Sequence, residues 1–489
     1  MGRRPQRASG ARARAALLLA LAAAAGGWLA PGAAPAQTAA PEYTSPEEQP
    51  GHSTLVAPPF AHTLGIHRAR PLHLKLFLGD RTRFDDPQGV AAVKFASDDD
   101  PEAKSDDFQL TLFGVNSGRG EILYNSTMQT LAIYGRPGSG DGQFRTPHGI
   151  AATPDGRVYV ADTGNRRVAR LTWDPDARAL RWAGSWPAGD PFDVAADARG
   201  QVYVADRATD GVLHFADPQA ATVSAPSPVT GARWPLPPDV AKPRGLAVGD
   251  SLDRWYRPQV YRLYLVDQDG ARLRAYDPEG MVLAETMPAA VDRPGGGPGA
   301  FRYVALDYQG NVYVTDPGAD VLYKFTADLQ PLATFPGSGA PDEALEEPRG
   351  VAVWKRFGQV FVAEREGAQY YFIGTDFTAE DTLPIRRDGE AQDWAFPLFL
   401  TEVASVTVTF LDAAGDTLGV AEPGVFGVGQ QTIRWDDDAW TEGPADGWEQ
   451  AASRIVIDAR PTYSSRKRFS RVRTLPLIWN DSSSPVGPP

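Results

Sequence analysis

An all-β fold is predicted for this chain: a six-bladed β-propeller followed by a small antiparallel β-sandwich. Three observations predict it. A short motif of the type Pro-x-Gly-Val/Ile-Ala recurs six times, and a Val- and Tyr-rich run follows each copy. Gly and Pro number 49 and 43 of 489 residues, together about one and a half times the average usage, which indicates many turns. Repeats of roughly 40 to 50 residues with several short strands each are typical of propellers.

The first element of the repeat starts with proline in all units except the fifth. It reads PQGVA at Pro87, PHGIA at Pro147, PFDVA at Pro191, PRGLA at Pro243, FRYVA at Phe301 and PRGVA at Pro348. We assign residues 69–376 to the propeller on this basis. Further apolar runs in each unit, such as Val321–Phe325 and Pro331–Phe335, bring the expected number of strands to four per blade.

The second element is apolar on both faces, as expected for a strand between neighbouring sheets. It ends at Asn116 in the first unit and at an acid in the other five, namely Asp162, Asp206, Asp267, Asp316 and Glu364. A residue that recurs in every blade is expected to perform the same task in every blade, whereas a catalytic site needs asymmetry. These repeat acids are therefore predicted to cap turns, and we expect the amide of Asn116 to make much of the same turn.

The second unit carries a resemblance to a known family. Its sequence GQFRTPHGIAATPDGRVYVADTGNRRV, from Gly142, resembles the NHL repeat, and the other units match with decreasing fidelity. The resemblance implies a six-bladed ring, in agreement with the number of repeats. Because the chain turns polar after Tyr371, we predict that His73–Phe77 supplies the missing outer strand of the sixth blade.

The pattern changes after residue 376. Residues 377–394 are predicted to be a charged linker, and alternating strands in residues 395–480 predict the sandwich, followed by a tail at 481–489. The sandwich resembles the FlgD-like immunoglobulin-like domain. The residues that carry the resemblance are Thr407, Asp412, Gly415, Trp435 and Asp436. It implies a spacer or assembly module.

The N-terminus is typical of an export signal. Five arginines precede the apolar run Ala15–Ala30, and Ala34-Pro35-Ala36 supplies a small-x-small cleavage pattern. We predict a signal peptide at residues 1–36, with an uncleaved signal anchor as the alternative, and a flexible tether at 37–68. The protein is thus expected in the periplasm, at the cell surface or outside the cell, with no membrane span after signal cleavage.

Charge and cysteine content exclude several classes of function. The net charge of −13 becomes −18 when the arginine-rich first 36 residues are removed, so binding to nucleic acid is not expected. The chain has no cysteine, which excludes disulfides, thiolate metal sites and cysteine nucleophiles. A monomer is expected.

A ligand is predicted to bind at one mouth of the central channel, near the start of the innermost strands. The second residue of each first element should lie there, and these residues are Gln88, His148, Phe192, Arg244, Arg302 and Arg349. Three arginines in an acidic chain would bind a carboxylate, phosphate or sulfate. The alternative is that each arginine pairs with an acid of a neighbouring blade and only joins the blades.

Enzymatic chemistry has weaker support. Some related propellers resemble zinc-dependent peptidylglycine amidating lyases or cation-dependent gluconolactonases, but the repeats contain only His148 and His214, and Asp193 is the sole acid beside the mouth. We predict no catalytic residue, no metal site and no cofactor, with such a metal-dependent enzyme as the alternative. The aromatics Tyr159, Tyr203, Tyr264, Tyr303 and Trp354 fit packing between blades, and a carbohydrate platform stays open. The function predicted is that of an exported, non-catalytic binding or scaffold protein for an acidic peptide, a sugar or a protein partner.

Overall fold

The computed structural model describes residues 55–57, 68–99, 109–127, 130–215, 231–288, 299–336, 344–388, 393–463 and 469–480. The predicted signal peptide, the tail at 481–489 and most of the predicted tether lie outside these ranges. Among the described residues, no helix combines the length and apolar character needed to cross a membrane.

The propeller consists of six antiparallel sheets, which we number as blades 1 to 6 in chain order. The first strands of the blades are Pro87–Lys94, Ile150–Ala152, Pro191–Ala196, Leu246–Gly249, Val304–Leu306 and Val351–Trp354. The second strands are Leu110–Asn116, Arg157–Asp162, Val202–Asp206, Arg262–Asp267, Val312–Asp316 and Gln359–Glu364. The third strands are Glu121–Ser126, Arg167–Asp174, Gly211–Phe215, Arg272–Tyr276, Val321–Phe325 and Gly367–Ile373.

The fourth strand completes blades 1 to 5 from within each repeat. These strands are Thr130–Tyr134, Ala179–Pro187, Ala232–Arg233, Val282–Thr286 and Pro331–Phe335. The first strand of every blade contacts the first strands of both neighbouring blades, including blade 6 with blade 1, so the ring is closed around a channel. The predicted all-β class and six-bladed propeller are confirmed.

The glycine of the first element lets neighbouring blades approach each other at the axis. The N–H groups of Gly89 and Gly149 donate to the carbonyl oxygens of His148 and Phe192 in the next blade, at 2.9 and 3.0 Å. A Cβ on Gly149 would lie 2.5 Å from the Cα of Asp193, which is closer than non-bonded carbon atoms can be. Glycine is therefore required here by the approach of two backbones.

We expect Gly149→Ala to lower the free energy of unfolding by about 2 kcal/mol, because the added methyl group must push two blades apart. The measurement is denaturant unfolding followed by tryptophan fluorescence. Gly443→Ala is the matched control, since a Cβ at Gly443 meets nothing within 4 Å. Equal stability of both variants would show that the blades tolerate a wider spacing.

The predicted closing strand at His73–Phe77 is wrong, because residues Pro71–Leu78 form a helix. Pro71 occupies the first turn, where proline is well tolerated, and Leu74 and Leu78 are one helical turn apart and both buried. The outer edge of blade 6 is instead paired by two short strands, Leu55–Val56 and Arg68–Ala69. The N-terminal segment thus does complete blade 6, through residues that were predicted to belong to the tether.

A β-sandwich follows the propeller, as predicted. One sheet contains Phe377–Thr378, Leu383–Asp388, Asp393–Leu400 and Gly429–Trp435, and the other contains Ala404–Leu411, Thr417–Phe426, Trp440–Glu442 and Arg454–Pro461. The long last strand, Arg471–Asn480, pairs with both sheets, and a short helix spans Trp448–Ala451. Alternate residues of Ala404–Leu411 are buried, as expected of a strand with one face on the core.

Two details of the sandwich differ from the prediction. The predicted linker 377–394 contains strands of the sandwich, because Leu383 and Ile385 are fully buried in its core. Strand Leu383–Asp388 also runs parallel to the last strand, with Leu383 opposite Leu477, so the sandwich is not purely antiparallel. Because most residues of this segment are polar, its two buried core positions were not recognised in the sequence.

The sandwich packs against blade 5 through a buried ion pair and against blade 6 through a ring stack. Lys324, in the third strand of blade 5, lies 2.5 Å from the carboxylate of Glu402, and both side chains are almost completely buried. Burial raises the pKa of Glu402 and of the neighbouring Asp307, and Lys324 opposes both shifts. Phe372 of blade 6 stacks on Phe469 at 5.1 Å.

Candidate functional site

The predicted mouth residues meet around the ring of Phe192. His148 stacks on this ring with the ring centres 4.7 Å apart, and the ring centre of Tyr303 lies 5.7 Å from that of Phe192. The guanidinium carbons of Arg302 and Arg244 lie 5.6 and 6.0 Å from the ring centre. Such distances allow cation–π attraction, so a buried aromatic residue organises the charges of the mouth.

His148 is held in its neutral form. Its Nδ1 lies 2.8 Å from the hydroxyl of Thr163, and that hydroxyl donates to the carbonyl oxygen of Pro191 at 2.6 Å. Burial lowers the pKa of His148 to about 4, and the positive charge of Arg302 acts in the same direction. At neutral pH the imidazole therefore adds no positive charge to the mouth.

Two of the three predicted arginines are already paired with carboxylates. Arg244 donates twice to Asp269, at 3.0 and 2.8 Å, and Arg349 binds Asp86 and Glu347. The side chains of Arg244 and Arg349 are 18% and 14% exposed, whereas Asp269 and Asp86 are each 45% exposed. An incoming anion would meet these carboxylates before the guanidinium groups. For these two residues, the structure agrees with the alternative in which an arginine pairs with an acid instead of binding a ligand.

Arg302 differs from the other two arginines. Its Nη2 donates to Gln88 Oε1 at 2.8 Å, whereas its buried Nε has no hydrogen-bond partner among the described residues. No carboxylate oxygen of the described ranges forms an ion pair with it. Burial lowers the pKa of Arg302, and the charges of Arg244 and Arg349 add to this effect. A bound anion would relieve both penalties.

The sequence analysis did not predict that the turn between the second and third strands of a blade contributes residues to the mouth. Arg207 lies 5.8 Å from the centre of the Phe192 ring, and Thr163 contacts His148. Both residues directly follow a repeat acid, and Asp269 comes two positions after another. In blades 2, 3 and 4 this turn reaches the mouth. The positions just after the repeat acid could therefore have indicated these mouth residues in the sequence.

The repeat acids bind the turns around them. Asp206 accepts four backbone N–H groups, from Gly189, Asp190, Ala208 and Thr209, at 2.6 to 3.2 Å. The other four acids are likewise buried, and each accepts hydrogen bonds from backbone or side-chain donors close by: Asp162, Asp267, Asp316 and Glu364. In blade 1, Asn116 accepts from the N–H of Asp85 at 2.8 Å. These contacts favour the structural role.

Besides His148, two residues were considered for metal chemistry, and both have structural partners. Asp193 accepts the N–H groups of Val194 and Leu246 at 2.9 and 3.0 Å, which links blade 3 to blade 4, and burial raises its pKa to about 7. His214 stacks on Tyr203 at 4.7 Å and bonds to Gln201. Within the described ranges, no three His, Cys, Asp or Glu side chains are grouped so that they could hold a metal ion.

Fold and site together define a six-bladed β-propeller whose channel mouth is built from the repeated first element. Residues 144–171, which form most of the first three strands of blade 2, match the NHL repeat family. The predicted NHL repeat is therefore present in blade 2, and a propeller with such a repeat fits a binding or scaffold role.

Individual proteins share only parts of this chain. NHL repeat-containing protein 3 of Homo sapiens is 34% identical over 65 residues, which is 13% of this chain and 18% of that protein. Among solved structures, virginiamycin B lyase from Staphylococcus aureus is 14% identical with a TM-score of 0.36, over 54% of this chain and 77% of that one. The PQQ-bound aldose sugar dehydrogenase from Streptomyces coelicolor is 14% identical with a TM-score of 0.38, over 60% and 96%. Similarity at this level says nothing about activity.

Proposed function

We propose that this chain is an exported, monomeric, non-catalytic binding protein whose propeller mouth holds a carboxylate of its partner through Arg302. The partner classes are an acidic peptide, an acidic sugar or an acidic segment of an envelope protein. The sandwich is proposed to be a FlgD-like immunoglobulin-like module that presents or attaches the propeller. The signal peptide and tether are proposed to place it in the periplasm or outside the cell.

The observation that carries the proposal is the state of Arg302. The guanidinium group of Arg302 is half-buried, and its buried, unpartnered Nε has lost hydration without receiving an ion pair in return. Phe192, His148 and Gln88 fix its position, so little conformational entropy would be lost when a ligand binds. The exposed carboxylates of Asp86 and Asp269 restrict the ligand to a single acidic group that reaches past them.

The test compares binding of acidic peptides with binding of their amide counterparts. We expect a peptide library graded in Asp and Glu content to contain binders, and the same peptides with Asn and Gln to bind at least about tenfold more weakly. Arg302→Gln should remove this preference. Fluorescence anisotropy with labelled peptides measures the dissociation constants.

Arg181→Gln is the matched control, because Arg181 is an exposed arginine on the outer strand of blade 2 that also pairs with an aspartate. It should bind like the unmodified protein. Arg244→Gln should have a smaller effect than Arg302→Gln, since Arg244 is already neutralised. If acidic and amide peptides bound equally, or if Arg302→Gln bound acidic peptides normally, the mouth would not be the carboxylate site.

The alternative function, a metal-dependent enzyme, needs a test that distinguishes it from a binding protein. Elemental analysis of the purified protein decides it without knowledge of the substrate. Zinc or calcium at one ion per chain would favour a propeller enzyme of the amidating lyase or gluconolactonase type and would contradict the non-catalytic function.

A further inference from the structure

The opposite end of the channel contains a cavity that the repeat pattern does not explain. Its volume is about 380 Å³, and its walls come from the ends of the first strands in blades 1, 2, 3, 4 and 6. Cavities of roughly 300 to 1,000 Å³ are the usual size of small-molecule sites. The mouth described above is at the other end of the same strands.

The repeat loses its symmetry at this far opening. The loop between the first and second strands has four residues in blades 2 and 6 and five in blades 3 and 5, but twelve in blade 4, at 250–261, and fifteen in blade 1, at 95–109. The loop of blade 4 reaches across the ring. Its Asp253 lies 2.7 Å from Lys355 of blade 6, and Arg356 of blade 6 stacks over its Trp255 at 5.2 Å. Blades 4 and 6 are not neighbours, so the loop bridges the channel end.

The walls of the cavity combine indole rings with cationic side chains. Trp255 and Trp354 are half-buried and line it, and Arg254 lies over the Trp255 ring at 4.9 Å. Trp354 also differs from the tyrosines with which it was grouped, because those are buried between blades. Its Nε1 has no hydrogen-bond partner within the described ranges. An apolar surface with a polar edge is the kind that packs against the face of a sugar ring.

Three cations and three acids line the cavity, and one of the cations has no ion-pair partner among the described residues. Lys94 pairs with Asp99 at 2.5 Å, and Lys355 pairs with Asp253. The remaining acid, Asp197, accepts the N–H groups of Arg199 and Gln201 and the hydroxyl of Tyr203, so it is committed to its own turn. Arg254 is exposed, and among the described residues no carboxylate oxygen lies within ion-pair distance of it. Arg254 is therefore the lining cation that is available to an incoming anion.

We propose that the far opening of the channel is a second binding site, for a small acidic sugar of the uronic acid class. The indole ring of Trp354 packs against the pyranose ring, and Arg254, which lies over the ring of Trp255, binds the carboxylate. The proposal does not depend on the function of the mouth. The size of the cavity favours a sugar unit or a short oligosaccharide over a protein surface.

The test is isothermal titration calorimetry of the full chain with glucuronic acid, galacturonic acid, glucose and acetate. We expect at least one of the two uronic acids to bind, and glucose and acetate each to bind about tenfold more weakly or not at all. Arg254→Gln should weaken binding of that uronic acid by about tenfold. Trp354→Phe should weaken it as well, without altering the weak binding of acetate.

Two controls separate this site from general effects. Arg257 lies in the same loop but is exposed and bonds to Gln309, so Arg257→Gln should bind the uronic acid normally. Trp182 is also stacked by an arginine, Arg167, but belongs to the outer strand of blade 2, so Trp182→Phe should have no effect. Loss of uronic acid binding in Arg302→Gln, together with normal binding in Arg254→Gln, would assign the sugar to the mouth and overturn this proposal, so failure of either site is distinguishable.

Three results would overturn the proposal. They are the absence of binding by both uronic acids, equal affinity for acetate and the uronic acid, and normal binding by Arg254→Gln. Because Arg254 is exposed, its replacement is not expected to disturb folding, and a thermal melt of the variant verifies this. If Trp354→Phe has a lower melting temperature than the unmodified protein, the result for Arg254→Gln alone tests the proposal.

Discussion

Lys324→Met is expected to lower the free energy of unfolding by about 3 to 5 kcal/mol, because it leaves a buried carboxylate without its cation. Glu402 is fully buried and lies 2.5 Å from Lys324 Nζ, and Asp307 is buried close to the same cation. Once the lysine charge is gone, these two acids must either stay ionised in an apolar interface or take up protons. Guanidinium denaturation at neutral pH measures the loss.

The double variant Lys324→Met with Glu402→Leu should recover part of this loss, since it removes both charges of the pair together. Lys75→Met is a matched control for loss of a lysine in an exposed pair, where Lys75 lies 3.8 Å from Asp80, and we expect a change within about 1 kcal/mol. If Lys324→Met unfolded like the control, the interface between propeller and sandwich would hold without the ion pair.

Asp206→Ala is expected to destabilise the propeller by about 3 kcal/mol, because four backbone N–H groups lose their acceptor together. The same substitution tests whether the repeat acids are structural. A structural acid, when removed, lowers stability and leaves peptide binding at the mouth intact wherever the protein stays folded. Thermal melting and the peptide binding measurement are made on the same preparation.

Asp277→Ala provides the comparison, since Asp277 caps an exposed turn and accepts only the N–H groups of Glu279 and Met281 among the described residues. It should cost about 1 kcal/mol or less. Asp206→Asn should lie between the two, because an amide keeps one acceptor oxygen. Unchanged stability of Asp206→Ala, combined with loss of binding, would instead assign this acid to the ligand site.

The repeat could be read from the sequence almost to the residue. The predicted ends of the second strands at Asp162 and Asp206 coincide with the ends of strands Arg157–Asp162 and Val202–Asp206. This succeeds because each blade repeats the same local pattern of apolar runs, glycine turns and terminal acid. The closing segment failed for the opposite reason: His73–Phe77 occurs once, and leucines at every second position are compatible with a strand or, as here, with a helix that starts at Pro71.

The number of blades and the six positions around the mouth follow from the periodicity of the repeat, and the sandwich follows from the alternation of buried and exposed residues along its strands. The charge of the mouth depends instead on contacts between distant parts of the chain. Arg349 is neutralised by Asp86, 263 residues earlier in the chain, whereas no carboxylate of the described residues pairs with Arg302. The far cavity, with walls from five blades, is decided in the same way. Ring closure brings these residues together, and no local pattern encodes which side chains meet across a closed ring.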